Sequence, residues 1–174
     1  KKKQKSYAVI KDVLVDTFNN LEELANRPEG VIGIPSGFID LDNRTLGFMP
    51  GQLIIIAARP AMGKSAFALN IAANAALKGN AAVVYFSLEM SKSELTGRIL
   101  ASEAMVDSTS LRSGQLTNEE WAKLASTASI LADLNILVDD TTGTTITGMK
   151  AKLRREKDKI GMIIIDYLQL MSSD

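Results

Sequence analysis

Four short apolar runs that alternate with helical segments most strongly constrain the fold of this 174-residue chain. The runs extend over Leu53 to Ala57, Ala82 to Phe86, Ile136 to Val138 and Met162 to Ile165. Their nearly continuous apolar character is typical of strands buried on both faces, which occur in parallel sheets covered by helices. The sequence therefore predicts an α/β fold built on a parallel sheet.

Helices are predicted between these runs by apolar periodicity and by end signals. Gly79 ends the first helix, and the pairs Ser91 with Glu94 and Thr117 with Glu120 form capping boxes that begin the next two. The predicted helices extend over Lys64 to Leu77, from Ser91 onward, from Thr117 to about Ala132 and from about Thr147 to Lys157.

The N-terminal segment is predicted to be an amphipathic helix from Ser6 to Arg27. Apolar residues recur there at spacings of three and four, namely Ile10, Val13, Leu14, Phe18, Leu21, Leu24 and Ala25. Pro28 and Gly30 end the helix, so we divide the chain into an amphipathic helix and linker at 1–30 and an α/β domain at 31–174. The residues leave open whether the apolar stripe covers its own domain or docks on a neighbouring subunit.

Composition excludes several kinds of chemistry. The chain contains no cysteine and no histidine, which removes disulfides, thiolate or imidazole metal sites, and Cys or His catalysis. The 20 basic and 20 acidic residues balance only because of the N-terminal lysines, so the body is acidic and lacks a basic patch typical of nucleic-acid binding. No apolar run approaches the ~20 residues of a membrane span, and we expect a cytoplasmic protein.

A phosphate-loop pattern follows the first apolar run. Residues 58–65 fit G-x-x-x-x-G-K-[ST] except that Ala58 replaces the first glycine, which a negative φ would accommodate. Lys64 would reach the β and γ phosphates of a nucleotide, and the Ser65 hydroxyl would hold Mg²⁺. An ordinary glycine-containing turn would not explain Lys and Ser together at this point. The predicted nucleotide-contacting residues are Ala58, Arg59, Pro60, Ala61, Met62, Gly63, Lys64, Ser65 and Ala66.

Two carboxylates are predicted at the same edge of the sheet. Asp166 ends the Met162 run and would coordinate Mg²⁺ through water, because the carboxyl ends of parallel strands line the ligand crevice. Glu89 follows the Ala82 run and is the candidate general base that polarises an attacking water. Glu94 and Glu103 are weaker candidates because they lie inside a predicted helix. The alternative for Glu89 is that it only caps the helix beginning near Ser91.

Taken together, these motifs resemble the bacterial replicative DNA helicases of the DnaB type. The resemblance extends over residues 8–172 and is specific in combination. The matching segments are Ile34 to Phe38 with Leu41-Asp42, Ala57 to Ser65, Phe86 to Met90, Ile165 to Leu170, and Leu111 to Gly114 with Leu116, Thr117 and Trp121.

The resemblance implies a RecA-like ATPase domain that uses ATP and Mg²⁺ within a homo-hexameric ring translocating along single-stranded DNA. It implies that Lys64 binds phosphate, that Ser65 and Asp166 hold Mg²⁺, and that Glu89 is the catalytic carboxylate. It also assigns residues 6–27 to a linker helix that packs on the adjacent subunit. Primase and a helicase loader are the further partners implied.

Several parts of such a motor have no counterpart in these residues. The family carries a further strand with a γ-phosphate sensor, DNA-contacting loops and an arginine finger, so we expect this chain to be the first part of the motor and to hydrolyse ATP poorly alone. The resemblance places the missing strand between the Leu53 and Met162 runs, which predicts a gap there. A recombinase-type ATPase and a non-hydrolysing nucleotide-binding ring module are the alternatives.

Overall fold

A computed structural model of the chain describes residues 8–25, 31–154 and 159–170. The chain divides into two compact units, residues 1–30 and residues 31–174. In the first unit, helix α1 extends over Ile10–Ala25, shorter than the predicted 6–27, whose outermost positions lie outside the described residues. Five large apolar side chains of the predicted stripe on α1 are exposed, namely Ile10, Val13, Leu14, Phe18 and Leu21.

The second unit contains the predicted alternation of strands and helices together with two short helices that were not predicted. In chain order its elements are α2 (Ile39–Thr45), α3 (Lys64–Leu77), β1 (Ala82–Ser87), α4 (Lys92–Glu103), α5 (Ser108–Ser113), α6 (Asn118–Ala132), β2 (Ile136–Asp139), α7 (Ile146–Leu153), β3 (Ile160–Asp166) and a 3₁₀ turn (Leu168–Leu170). The unpredicted helices are α2 and α5. Helix α7 ends before the predicted Lys157, which lies outside the described residues.

The three strands form one parallel sheet in the order β2-β1-β3. Strand β1 is central and buried along its whole length, as the sequence predicts for a strand covered on both faces. In the register of the sheet, Phe86 is opposite Asp139 and Ser87 is opposite Asp166. The carboxyl ends of all three strands therefore meet at one edge.

Each face of the sheet has its own apolar core. On one face, the alanine-rich side of α3 packs with Val83 and Tyr85 of β1 and with Leu95 and Ile99 of α4. The alternate side chains of β1 point to the other face of the sheet. There they pack against α7, with Met149 buried among them. A third cluster joins α4, α5 and α6. Helix α3 thus lies directly on the sheet that ends in Asp166.

The predicted strand at Leu53 to Ala57 is wrong for this structure. These residues have no regular secondary structure, and their side chains are exposed, Leu53 to 85% and Ile55 to 74%. A parallel strand forms only when a neighbouring strand supplies its hydrogen bonds. Within the described residues, β3 pairs with β1 alone, and a cavity of about 340 Å³ lies between residues 53–58 and β3. This cavity lies between the two runs where the resemblance predicts a gap.

Helix ends follow the predicted capping residues closely. Thr117 and Glu120 form a complete capping box at α6. At α4, the Ser91 side chain accepts a hydrogen bond from the Glu94 N–H, which is half of the predicted box. Within the described residues, the structure contains no helix with the length and apolar character needed to cross a membrane.

Candidate nucleotide-binding site

The phosphate-loop pattern ends at the N-terminus of α3. Gly63 is the residue before the helix and has φ 84°, a left-handed conformation that glycine adopts without strain. Among the described residues, no side chain caps the helix at this end. The first N–H groups of the 14-residue helix α3 are therefore available to an anion, and the helix dipole favours negative charge there.

Lys64 and Asp166 come together although 102 positions separate them in the sequence. The Lys64 Nζ lies 3.4 Å from the Asp166 Oδ1, and Asp166 is only 4% exposed. Lys64 is the first residue of α3, and Asp166 is the last residue of β3. The packing of α3 on the sheet thus brings the predicted phosphate-binding cation beside the predicted metal-binding carboxylate.

Two tyrosines complete this cluster. The Tyr85 hydroxyl donates a hydrogen bond to the Asp166 Oδ2 at 3.2 Å, and the Lys64 Nζ lies 3.9 Å from the centre of the Tyr167 ring. Burial raises the pKa of Tyr85, and the adjacent Asp166 carboxylate raises it further, so the phenol remains a donor at physiological pH. Sequence reasoning missed both residues. For Tyr85, the sequence does contain a signal, because a tyrosine in a strand predicted to be buried needs a hydrogen-bond partner for its hydroxyl.

The residues fit a magnesium ion that is carried with a nucleotide. The described residues include no group of three or more acidic, His or Cys side chains that would hold a metal unaided. Mg²⁺ is commonly bound by one or two protein oxygens together with substrate phosphates and water. Ser65, half-buried in the first turn of α3, and Asp166 are the two predicted oxygen ligands.

Glu89 lies on the loop that follows β1 and is exposed. It comes two residues after Ser87, which is opposite Asp166 in the sheet, so it lies at the carboxyl edge as predicted. The cap of α4 is supplied instead by Ser91 and by Asp140, whose carboxylate accepts a hydrogen bond from the Lys92 N–H at 3.0 Å. The alternative role of Glu89 as a helix cap therefore has no support from these contacts.

The remaining residues of the phosphate-loop pattern, 58–62, pack less against the rest of the domain than Lys64 does. Residues 58–62 are exposed, and Ala61 has φ 61°, a left-handed conformation that costs an alanine energy. Ala58 is not among the described residues with positive φ, which satisfies the condition for alanine at this position. Ala57 and Ala58 line the cavity together with Lys64 and Asp166.

The loop at residues 36–38 precedes α2 and contacts both α2 and α3. The carboxylate of buried Asp42 accepts hydrogen bonds from the N–H groups of Ser36 at 2.8 Å and Gly37 at 3.0 Å. Burial raises the pKa of Asp42, but the hydrogen bonds from Ser36 and Gly37 outweigh it, so the pKa lies below its ordinary value. The Phe38 and Phe67 rings pack at 4.9 Å, which joins this loop to α3.

A parallel sheet whose carboxyl edge carries a phosphate-loop pattern and an uncapped helix that begins with a lysine defines a class of protein, the P-loop nucleotide-binding domains. Within this class, residues 33–174 match the DnaB-like helicase C-terminal domain. The chain belongs to the DnaB-like helicase family.

Individual relatives agree with this family. The chain is 47% identical over 173 residues to the replicative DNA helicase DnaC of Bacillus subtilis, covering 98% of the chain and 38% of the relative. It is 49% identical to the replicative DNA helicase DnaB of Geobacillus stearothermophilus, covering 93% of the chain and 36% of the relative. The chain thus spans less than two fifths of the length of these two relatives.

A solved structure of a DnaB-like helicase has the same fold as this chain. A DnaB-like replicative helicase, described with its interactions with primase, superposes with a TM-score of 0.85 at 31% identity. The match covers 94% of this chain and 41% of that chain. The chain has the fold of the RecA-like ATPase domains of DnaB-like helicases.

Proposed function

We propose that this chain is the motor part of an ATP-dependent replicative DNA helicase. Residues 31–174 would be part of the RecA-like ATPase domain, and residues 1–30 the linker helix and linker. The observation that supports this most is the 3.4 Å approach of Lys64 to Asp166 at the carboxyl edge of the sheet. A phosphate-binding cation and a metal-binding carboxylate act on the same nucleotide, so the proposed function needs these two side chains to be close.

ATP with Mg²⁺ is the proposed cofactor pair. The N–H groups at the start of α3 and the Lys64 ammonium would hold the phosphates, replacing part of the interaction between Lys64 and Asp166. Ser65 and Asp166 would hold Mg²⁺, the latter through water. When bound, Mg²⁺ neutralises charge that develops on the phosphates during transfer.

Glu89 is the proposed catalytic carboxylate. Its exposed position on the loop after β1 leaves it accessible to a water molecule at the same edge as Asp166. With no histidine in the chain, a carboxylate is the group suited to accept a proton from that water. The backbone of Ser87, paired beside Asp166, would set the point from which the Glu89 loop begins.

The partners follow from the same proposal. We infer a homo-hexameric ring in the cytoplasm that translocates along single-stranded DNA, with DNA contacts made outside these residues because the body of the chain is acidic. The exposed apolar face of α1 would dock on the adjacent subunit. Primase and a helicase loader are further proposed partners.

Replacing Lys64 tests this proposal. In the complete gene product, Lys64→Ala should weaken Mg-ATP binding at least about tenfold and abolish hydrolysis, because a charge-assisted contact contributes about 1.5–3 kcal/mol. Lys78→Ala, an exposed lysine just beyond the other end of α3, is the matched control and should retain both. Normal ATP turnover in Lys64→Ala would contradict the phosphate-binding role. If the wild-type protein binds the nucleotide but does not hydrolyse it, with or without single-stranded DNA, the result would favour a non-hydrolysing ring module.

A further inference from the structure

The phenol of Tyr85 is an unusual group to find inside the core. The side chain is fully buried in the central strand, among the apolar residues that pack between β1, α3 and α4. A phenylalanine would fill nearly the same volume without a polar atom to desolvate. Burying a hydroxyl costs free energy unless it forms a hydrogen bond, so the oxygen of Tyr85 calls for a specific partner.

That partner is one particular oxygen of Asp166. The Tyr85 hydroxyl donates to Oδ2, while the other oxygen, Oδ1, faces the Lys64 ammonium at 3.4 Å. The Tyr85 ring cannot move without disturbing the core around it. Asp166 is at the end of its strand, where only its own torsion angles and its partners fix the direction of the carboxylate.

We propose that Tyr85 is a positioning residue that holds the Asp166 carboxylate in the orientation needed to receive Mg²⁺ with its nucleotide. This inference rests on the proposed function. Without the hydroxyl, the carboxylate is free to rotate and to pair more closely with Lys64. Mg²⁺ would then have to compete with the ammonium for both oxygens.

Tyr85→Phe isolates this effect because it removes one oxygen and keeps the ring. Loss of an outer partner of a metal ligand typically weakens metal affinity about 10–100-fold, and for a ligand acting through water we expect the lower end, about tenfold. Nucleotide affinity without Mg²⁺ should remain within about twofold, because Lys64 and the start of α3 are unchanged.

The test uses the complete gene product and a fluorescent N-methylanthraniloyl ADP titrated with Mg²⁺. Electron paramagnetic resonance of bound Mn²⁺ gives a second, direct readout of the metal. Val83→Ala is the matched control, since Val83 is buried in the same core of β1 and its side chain carries no polar group to contact Asp166. The number of nucleotide molecules bound per chain at saturation without Mg²⁺ reports the folded fraction of each variant.

A tenfold rise in the Mg²⁺ concentration for half-maximal binding in Tyr85→Phe, with no shift in Val83→Ala, would support the inference. An unchanged Mg²⁺ requirement in Tyr85→Phe, or an equal shift in Val83→Ala, would overturn it and leave the proposed function standing. Failure of the wild-type protein to bind the nucleotide at any Mg²⁺ concentration would overturn both.

Discussion

Two apolar segments of nearly the same composition have opposite fates in this molecule. Residues 53–57 read Leu-Ile-Ile-Ile-Ala, and residues 162–165 read Met-Ile-Ile-Ile. The second segment forms β3, pairs with β1 and ends in the buried Asp166. The first segment has no strand partner in the described part of the chain and is exposed. Strand propensity alone therefore does not decide whether a strand forms.

The same contrast divides the candidate site. Lys64, Tyr85 and Asp166 lie on elements that pack on one another, and their mutual distances follow from that packing. Residues 58–62 and Glu89 lie on exposed loops. The packed half fixes geometry, whereas the exposed half is free to respond to a ligand.

The largest predicted effect is a loss of ATP turnover, without a loss of stability, on replacing Glu89 in the exposed half of the site. Glu89→Gln should retain nucleotide affinity and lose turnover by about 10²–10⁴-fold, because the amide keeps the shape but accepts no proton. Its free energy of unfolding should stay within about 0.5 kcal/mol of the wild type, since Glu89 is exposed. Steady-state ATPase assays and denaturant unfolding measure the two quantities. Wild-type turnover would remove Glu89 from the mechanism.

A pair of alanine variants tests the two apolar segments directly. Ile164→Ala should lower the free energy of unfolding of the 174-residue chain by about 2 kcal/mol, because Ile164 packs against the buried cluster around α3. Ile55→Ala should change it by less than about 0.5 kcal/mol, because that side chain is 74% exposed. Urea unfolding followed by circular dichroism measures both. Equal losses would show that residues 53–57 are packed in solution.

Extending the chain beyond Asp174 should sharpen this comparison. If a further strand enters the cavity between residues 53–58 and β3, Ile55 becomes buried and Ile55→Ala should then cost about 2 kcal/mol or more. Ile164→Ala serves as the internal reference in both versions. An Ile55→Ala effect that stays negligible in the longer version would contradict the prediction that a further strand fills this cavity.

A loop can also be fixed by side-chain hydrogen bonds instead of by a strand partner. Replacing Asp42, which binds the loop at Ser36 and Gly37, tests this. Asp42→Asn should destabilise the protein at pH 7 by about 1–2 kcal/mol, because the Ser36 and Gly37 N–H groups donate to different carboxylate oxygens and an amide replaces one of these acceptors by a donor. The lowered pKa of Asp42 means that its contribution is present above the ordinary value of 3.8 and is lost as pH falls through the lower folded value.

The pH dependence supplies the check on Asp42. The difference in free energy of unfolding between wild type and Asp42→Asn should shrink as the pH falls below 3.8 toward the lower folded-state pKa, where the Asp42 carboxyl of the wild type becomes protonated. Urea titrations from neutral pH down to below the ordinary pKa of an aspartate measure it. A difference independent of pH would mean that the carboxylate charge contributes nothing to this loop.

The smallest predicted effect is in the phosphate loop itself. Ala61→Gly should stabilise the protein by less than about 1 kcal/mol, because glycine adopts the left-handed φ of 61° without strain. Ala66→Gly, at an exposed helical position, is the matched control and should destabilise it by about 0.5–1 kcal/mol. Thermal unfolding compares the two. Destabilisation by Ala61→Gly would place Ala61 outside the left-handed region in solution.

Much of the site could be anticipated because its signals are local. The Lys64-Ser65 pair before a helix, the carboxylate Asp166 after an apolar run and the capping pair Thr117 with Glu120 each lie within a few residues. The short helix α5 was missed although Asp107 and Gly114 cap its two ends, because six residues show no periodicity. Tyr85 was missed because its partner is 81 positions away.

The sequence by itself determined the α/β class, the α3, β1, β2 and β3 segments and the residue types available for phosphate and metal binding. These follow from local periodicity, end signals and composition, which neighbouring residues carry. Only the tertiary structure decided that residues 53–57 stay unpaired within the described part of the chain, that Lys64 faces one oxygen of Asp166 and that Tyr85 holds the other. Strand pairing and side-chain contacts depend on groups distant in the chain, and no local pattern specifies which of them will meet.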